Sequence, residues 1–175
     1  EIMMAPIYAP SGESWHNVPT WNAAYIDGLY ENYRSYGNLT LVKDHWEQMD
    51  LQAMSYIAQL KSDKYYDGSP KKVWLWYDNI GLNDWQAPDG TNGAPEGCGI
   101  VGTAAVYRCL EEMCYFARLL GKDDRILVYE DAMKNIYKAF NETYFDKESG
   151  HYETGFWNTA WAHSRDKYRQ TNDLT

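Results

Sequence analysis

The sequence predicts an all-α fold in which antiparallel helical hairpins form part of a toroid. Apolar residues recur at helical spacing in four long segments, and these segments form two copies of one unit. A long connection rich in aromatic residues separates the copies, which fits a ring of hairpins whose loops line a central cleft. The length of 175 residues is sufficient for one domain with a core.

The first predicted hairpin contains a helix over residues 21–36 and a second helix over residues 40–60. Gly37 lies between them, and glycine is the residue that most often ends a helix. Short turns of this kind join antiparallel helices. The apolar residues expected to face the core are Ala23, Ile26, Leu29, Tyr30, Tyr33, Val42, Trp46, Met49, Met54, Ile57 and Leu60.

The second predicted hairpin contains helices over residues 101–120 and 124–141, with Gly121 as the stop between them. The spacing of its apolar residues again indicates one buried face on each helix. The residues expected to face the core are Ala104, Ala105, Leu110, Met113, Phe116, Leu120, Leu127, Ala132, Ile136, Tyr137 and Phe140.

The two hairpins are copies of one unit, because Met49 follows Gly37 at the same distance at which Met133 follows Gly121. A short β segment is predicted after each second helix, at residues 72–76 and 151–156. The unit is longer than the roughly 34–47 residues of common helical repeats. This favours a closed toroid over a generic helical-repeat scaffold, which remains the alternative.

Composition and charge indicate which kinds of partner the protein binds. A formal net charge of −9 argues against nucleic acid and anionic membrane surfaces as partners, and no apolar run has the length of a membrane span. The aromatic content is 16%, with 8 Trp and 16 Tyr, which is typical of proteins that line a cleft for carbohydrate. The odd number of cysteines, Cys98, Cys109 and Cys114, favours buried free thiols over a disulfide framework, a metal site or a nucleophile.

The loop at residues 81–90 is the strongest candidate for a binding site. Asp84 and Trp85 stand side by side in it, and together they offer hydrogen-bond acceptors and a flat apolar face, which suits a sugar ring. The alternative for Asp84 is a role in capping the turn. Trp21, at the start of the first helix, is a second aromatic candidate.

Carboxylates are the plausible catalytic groups, since glycoside hydrolysis needs two of them. The candidates in the long connection are Asp78, Asp84, Asp89 and Glu96. The four histidines, His16, His45, His151 and His163, have no metal-ligand spacing and are expected to be exposed or locally hydrogen-bonded. The sequence implies no metal and no cofactor.

A series of short motifs resembles the middle of the bacterial α-L-rhamnosidase catalytic domain. These motifs follow the family's order along essentially the whole chain, at residues 4–10, 19–24, 33–37, 81–85, 103–108, 119–121 and 170–172. The resemblance implies an (α/α)6 toroid of six helical hairpins that hydrolyses terminal α-L-rhamnose with inversion. It also implies a carbohydrate partner, a rhamnose-containing glycan or glycoside.

The resemblance further implies which residues act. By motif position, Trp21, Asp84 and Trp85 contact the sugar, whereas the family's general acid and general base would both lie outside this segment. No catalytic residue is therefore expected here. Residues 1–175 are expected to be the central portion of a single (α/α)6 catalytic domain, incomplete at both ends, that packs against the remainder of that domain.

Two departures from the family pattern bear on substrate preference. The family usually has Asp where this chain has Asn22, and Gly where it has Asn83. The open alternatives are therefore a related (α/α)6 hydrolase that acts on another glycan, and a non-catalytic helical scaffold or glycan-binding module. The sequence fits a cytoplasmic or an exported protein equally.

Overall fold

Four helices make up the structure, a computed structural model that describes residues 19–64, 70, 72–76 and 98–152, and for residues 98 and 99 the backbone alone. Helix α1 spans Pro19–Tyr36, α2 Leu39–Lys61, α3 Cys98–Leu120 and α4 Asp123–Tyr144. All four predicted helices are confirmed, with ends slightly beyond the predicted ones. Pro19 occupies the first position of α1, where its missing N–H costs no hydrogen bond. The class is all-α, as predicted.

The glycine of each hairpin turn has the same backbone φ. Gly37 and Gly121 both have φ of 66°, the left-handed region that side chains with a Cβ rarely adopt. The Gly37 N–H donates to the Tyr33 carbonyl at 2.7 Å, and the Lys122 N–H donates to the Ala117 carbonyl at 2.9 Å. These bonds satisfy carbonyls that a helix end leaves unpaired. The repeat of the unit is therefore visible at both turns.

The predicted β segment at residues 72–76 is wrong. Trp74 has φ of 65°, which no extended strand contains, and its N–H donates to the Leu60 carbonyl at 2.6 Å. Within the described residues, β pairing is limited to two isolated bridges, Lys64 with Pro70 and Phe145 with Tyr152. Of the second predicted segment, 151–156, only the first two residues are described.

The helices run in alternating directions around α3, which packs against each of the other three. Asp27 meets Arg108 and Tyr33 meets Phe116, so α1 and α3 are parallel. The buried core includes Ile26, Leu29, Val42, Trp46, Met49, Ile57, Leu60, Val106, Leu110, Met113, Phe116, Tyr129, Ala132 and Ile136. Within the described residues, no helix combines the length and apolar character that crossing a bilayer requires.

Three residues predicted to face the core are exposed. Leu127 and Tyr137 are 71% and 64% exposed, and Ala104 is also exposed. The buried stripe of α4 instead follows Tyr129, Ala132 and Ile136, whose spacing of three and four residues defines one helical face. Leu127 and Tyr137 lie outside that face. The predicted core positions of α1 and α2 are all buried or packed against the core.

Helices α2 and α4 are joined by polar contacts around Asp50. The Tyr129 hydroxyl donates to Asp50 Oδ1, and Arg125 Nη2 lies 2.9 Å from Asp50 Oδ2. One helical turn away, the Lys122 ammonium lies 6.0 Å from the centre of the Trp46 ring. These contacts align α2 parallel to α4, so the N-terminal ends of α1 and α3 and the C-terminal ends of α2 and α4 lie together.

Candidate functional site

Trp21 is the one predicted sugar-contact residue that lies within the described residues. It stands in the first turn of α1 and is 48% exposed, at the end of the bundle where α1 and α3 begin. A tryptophan held in a helical turn with half of its surface open presents an apolar face together with one N–H donor. The predicted residues Asp84 and Trp85 lie outside the described residues, as do Asp78, Asp89 and Glu96.

A buried glutamine lies directly beneath this turn. Gln52, on α2, is 5% exposed and donates from Nε2 to the Asn22 carbonyl at 2.7 Å and to the Tyr56 hydroxyl at 2.8 Å. Asn22 is the residue that follows Trp21. The two donated bonds satisfy the buried amide nitrogen, which would otherwise lose free energy on leaving water. Gln52 therefore ties the first turn of α1 to α2.

The same network continues to the segment that follows α2. The Tyr56 ring packs edge-on against Trp76, with centroids 5.6 Å apart and planes at 87°. The backbone N–H of Trp76 donates to Thr103 Oγ1 at 2.8 Å. The preceding residue, Leu75, packs in a small cluster with Ile100 and Tyr144. These contacts fix residues 75 and 76 beside the N-terminal end of α3.

A charged cluster joins α1 to α3 further along the bundle. Arg108 Nε donates to Glu112 Oε1 at 3.1 Å and lies 3.4 Å from Asp27 Oδ1. The Glu112 side chain is 5% exposed, whereas Arg108 is mostly in solvent. Within the described residues, no N–H or hydroxyl group donates to Glu112 Oε2 or to Asp27 Oδ1. A proton shared between the two carboxyl groups satisfies both oxygens.

The electrostatics of this cluster support the shared proton. Burial, together with the hydrogen bond to Asp27, raises the pKa of Glu112 to about 8 against the opposing effect of Arg108. Glu112 therefore keeps its proton to a higher pH than an exposed glutamate does. A raised carboxyl pKa is typical of a general acid. However, both carboxyl groups contact one guanidinium nitrogen, which leaves no room for the water that an inverting pair of carboxyls holds between them.

An open cleft of about 580 Å³ lies between α1 and α3 beside this cluster. The residues that line it are Tyr30, Glu31, Arg34, Arg108, Glu111, Glu112, Cys114, Tyr115, Arg118 and Met133. Its α1 residues belong to the second half of that helix, whereas Trp21 belongs to the first turn. The cleft and the Trp21 end are thus different parts of the surface.

The remaining candidates have structural roles where they are described. Cys109 and Cys114 are buried free thiols, as predicted, and burial raises the pKa of Cys114 to about 11, so neither is an activated nucleophile. His45 Nδ1 lies 2.7 Å from the Tyr25 hydroxyl, which fits the predicted local bonding. In the part of the chain that the structure describes, no three His, Cys, Asp or Glu residues are placed to hold a metal ion.

Sequence reasoning missed both Gln52 and the Asp27–Glu112 pair. Gln52 had a detectable signal, because it is a polar residue on the buried stripe of α2, at helical spacing from Met49 and Tyr56. Arg108 and Glu112 are four residues apart on one helix and could have been paired. Their contact with Asp27 depends on the packing of α1 against α3, which the sequence does not show.

Comparisons with known proteins identify relatives of this fold. The family described as the bacterial alpha-L-rhamnosidase 6 hairpin glycosidase domain matches residues 3–162. Among solved structures, an alpha-L-rhamnosidase from Dictyoglumus thermophilum is similar, with a TM-score of 0.63 and 21% identity. The similarity covers 79% of this chain and 14% of that one. No curated protein sequence matches the chain.

Proposed function

The chain belongs to the bacterial α-L-rhamnosidase six-hairpin glycosidase family, and from this premise we propose that the intact protein hydrolyses terminal α-L-rhamnosyl linkages with inversion. The family match over residues 3–162 is the observation that carries the proposal. The six-hairpin domain is that of a glycoside hydrolase, whose substrate is a carbohydrate. The chain spans 14% of the length of the solved rhamnosidase chain that it resembles, so the activity is proposed for the whole protein.

Residues 1–175 form the central portion of a single (α/α)6 catalytic domain in this proposal. The described residues supply two hairpins, and the family name gives six. The remainder of the domain would pack against these two hairpins and close the ring. Antiparallel hairpins with short glycine turns at one end and the long connection at the other fit that arrangement.

The proposed role of this segment is to contact the sugar. Trp21, half exposed in the first turn of α1, is supported by the buried network below it. Asp84 and Trp85 complete the proposed set, and both lie further along the connection that contains Trp76. In this proposal the general acid and general base lie outside residues 1–175. The pair of Glu112 and Asp27 does not fit these roles, because oxygens of both carboxyl groups contact Arg108 Nε and leave no room for a water between them.

An assay with an aryl α-L-rhamnoside tests the proposal. The intact protein is expected to release the aryl group, and nuclear magnetic resonance is expected to show β-L-rhamnose as the first product. Residues 1–175 alone are expected to release none. Hydrolysis of a different aryl glycoside and not of the rhamnoside would support a related toroid with another substrate. No hydrolysis of any aryl glycoside would favour the non-catalytic scaffold or glycan-binding module.

The sugar-contact residues are tested in the intact protein. Asp84→Asn is expected to weaken binding of L-rhamnose by about 1.5–3 kcal/mol, the range for a hydrogen bond to a charged acceptor. Trp21→Ala is expected to raise KM, because the apolar face of the indole is lost. Gln48→Ala, an exposed change on α2, is the control and is expected to leave KM unaltered. If KM is unchanged in Asp84→Asn, the carboxylate caps its turn instead.

A further inference from the structure

We infer that Gln52 is a positioning residue for the sugar-contact turn of α1: it fixes where Trp21 stands relative to the segment at Trp76. The inference rests on the proposed function, since it assigns Gln52 to the binding end of that glycosidase. Gln52 is only 5% exposed, so its side chain cannot contact a ligand directly. It therefore acts through the residues that it holds.

The geometry gives Gln52 two partners on different elements. Its Nε2 carries two N–H groups, and it donates to the Asn22 carbonyl at 2.7 Å and to the Tyr56 hydroxyl at 2.8 Å. Asn22 is itself 5% exposed, so the bond to its carbonyl is shielded from water. Both hydrogen bonds are shielded from water, and a hydrogen bond is stronger in such an environment than in solvent.

The second partner carries the constraint to the connection between the hairpins. Tyr56 is buried and packs edge-on against the Trp76 ring, whose backbone N–H is held by Thr103. A displacement of Gln52 would therefore release the first turn of α1 on one side and the Tyr56–Trp76 contact on the other. An apolar residue at position 52 would fill the same space but could donate neither to the Asn22 carbonyl nor to the Tyr56 hydroxyl.

A neighbouring buried contact on α2 provides a matched control. Asp50 accepts a hydrogen bond from Tyr129 on α4, two residues before Gln52 and on another face of the helix. Tyr129→Phe removes a partly buried hydrogen bond between α2 and α4 and leaves the contacts of Gln52 with Asn22 and Tyr56 in place. Loss of stability alone would therefore affect both variants, whereas loss of positioning would affect only the variant at position 52.

The experiment compares Gln52→Met and Tyr129→Phe with the intact wild-type protein. Methionine keeps the length and helix preference of glutamine and cannot donate. Gln52→Met is expected to raise KM for an aryl α-L-rhamnoside about fivefold while kcat changes less than twofold. It is also expected to speed hydrogen exchange of the backbone amides in residues 19–26. Tyr129→Phe is expected to do neither. If Gln52→Met does not fold, Gln52→Leu, which is apolar and has no donor, replaces it with the same expectation.

Three results would overturn the inference: an unchanged KM in the position-52 variant, an equal rise of KM in Tyr129→Phe, or unchanged hydrogen exchange of residues 19–26 in the position-52 variant. Failure of the proposed function is a separate result, because it would show as no hydrolysis by the wild-type protein. The exchange of residues 19–26 needs no substrate. If it is unchanged in the position-52 variant, Gln52 does not hold the turn, whatever the activity.

Discussion

Glu112→Gln is expected to remove a pH dependence of stability that the Asp27–Glu112 pair creates. In the native protein Glu112 Oε1 accepts from Arg108 at 3.1 Å, and a hydrogen bond with Asp27 contributes to the raised pKa of Glu112. A glutamine at this position has an amide oxygen that can accept from Arg108 and an N–H that can donate to Asp27. The variant therefore reproduces the protonated form of Glu112 and cannot titrate.

The sign follows from the raised pKa of Glu112, about 8 in the folded protein against a reference value of 4.5. The folded state binds more protons than the unfolded state between these values, so the contribution is complete below the lower value and is lost as the pH rises through the higher one. The free energy of unfolding of the wild-type protein should fall relative to Glu112→Gln by at most about 1.4 kcal/mol per pH unit in this window.

Urea unfolding of both proteins at several pH values between about 5 and 9 measures this difference. The two should be similar in stability at the acidic end, and Glu112→Gln should be the more stable above the native pKa of Glu112. Glu111→Gln, an exposed change on the same helix, is the control and should show no such trend. A difference between wild type and Glu112→Gln that does not vary with pH would refute the shared proton.

Glycine substitutions give opposite expectations at turns and within a helix. Gly37→Ala and Gly121→Ala should each lower the free energy of unfolding by about 1–2 kcal/mol, because both residues have φ of 66°; equal stability in calorimetry would contradict this. Gly28→Ala, within α1 and with no atom within 4 Å of the added Cβ, should raise it by about 0.5–1 kcal/mol. A loss of stability in Gly28→Ala would show that another surface covers that position.

The helices were predictable because each carries its own boundary signals. Gly37 and Gly121 end α1 and α3 for the same backbone reason, and the apolar stripes of α1 and α2 indicate their buried faces directly. The error at residues 72–76 has a physical cause. An aromatic and β-branched run favours a strand by propensity, but here Trp74 and Trp76 donate their N–H groups to Leu60 and Thr103 instead of to a neighbouring strand.

The candidate site was less predictable, because its geometry depends on packing between helices. Trp21 could be proposed from its place at a helix start, and it is exposed in the first turn as such a role requires. Gln52 is 30 residues from Asn22 in the chain, and the group that it contacts there is a backbone carbonyl, which has no signature in sequence. The Asp27–Glu112 contact likewise joins residues far apart in the chain.

Because α1 and α3 are parallel, both glycine turns lie at one end of the bundle and the long connection lies at the other. The two ends therefore differ in how much sequence change they tolerate. At one end each hairpin closes through a glycine turn of two residues between its helices, whose left-handed backbone restricts substitution. At the other end the stretch from Ser62 to residue 97 joins the hairpins. Leu75 and Trp76 of this stretch are buried against the helices, whereas a connection of this length tolerates insertions or exchanges elsewhere better than a two-residue turn does. New ligand preferences can therefore arise at that end while the opposite end is conserved as scaffold.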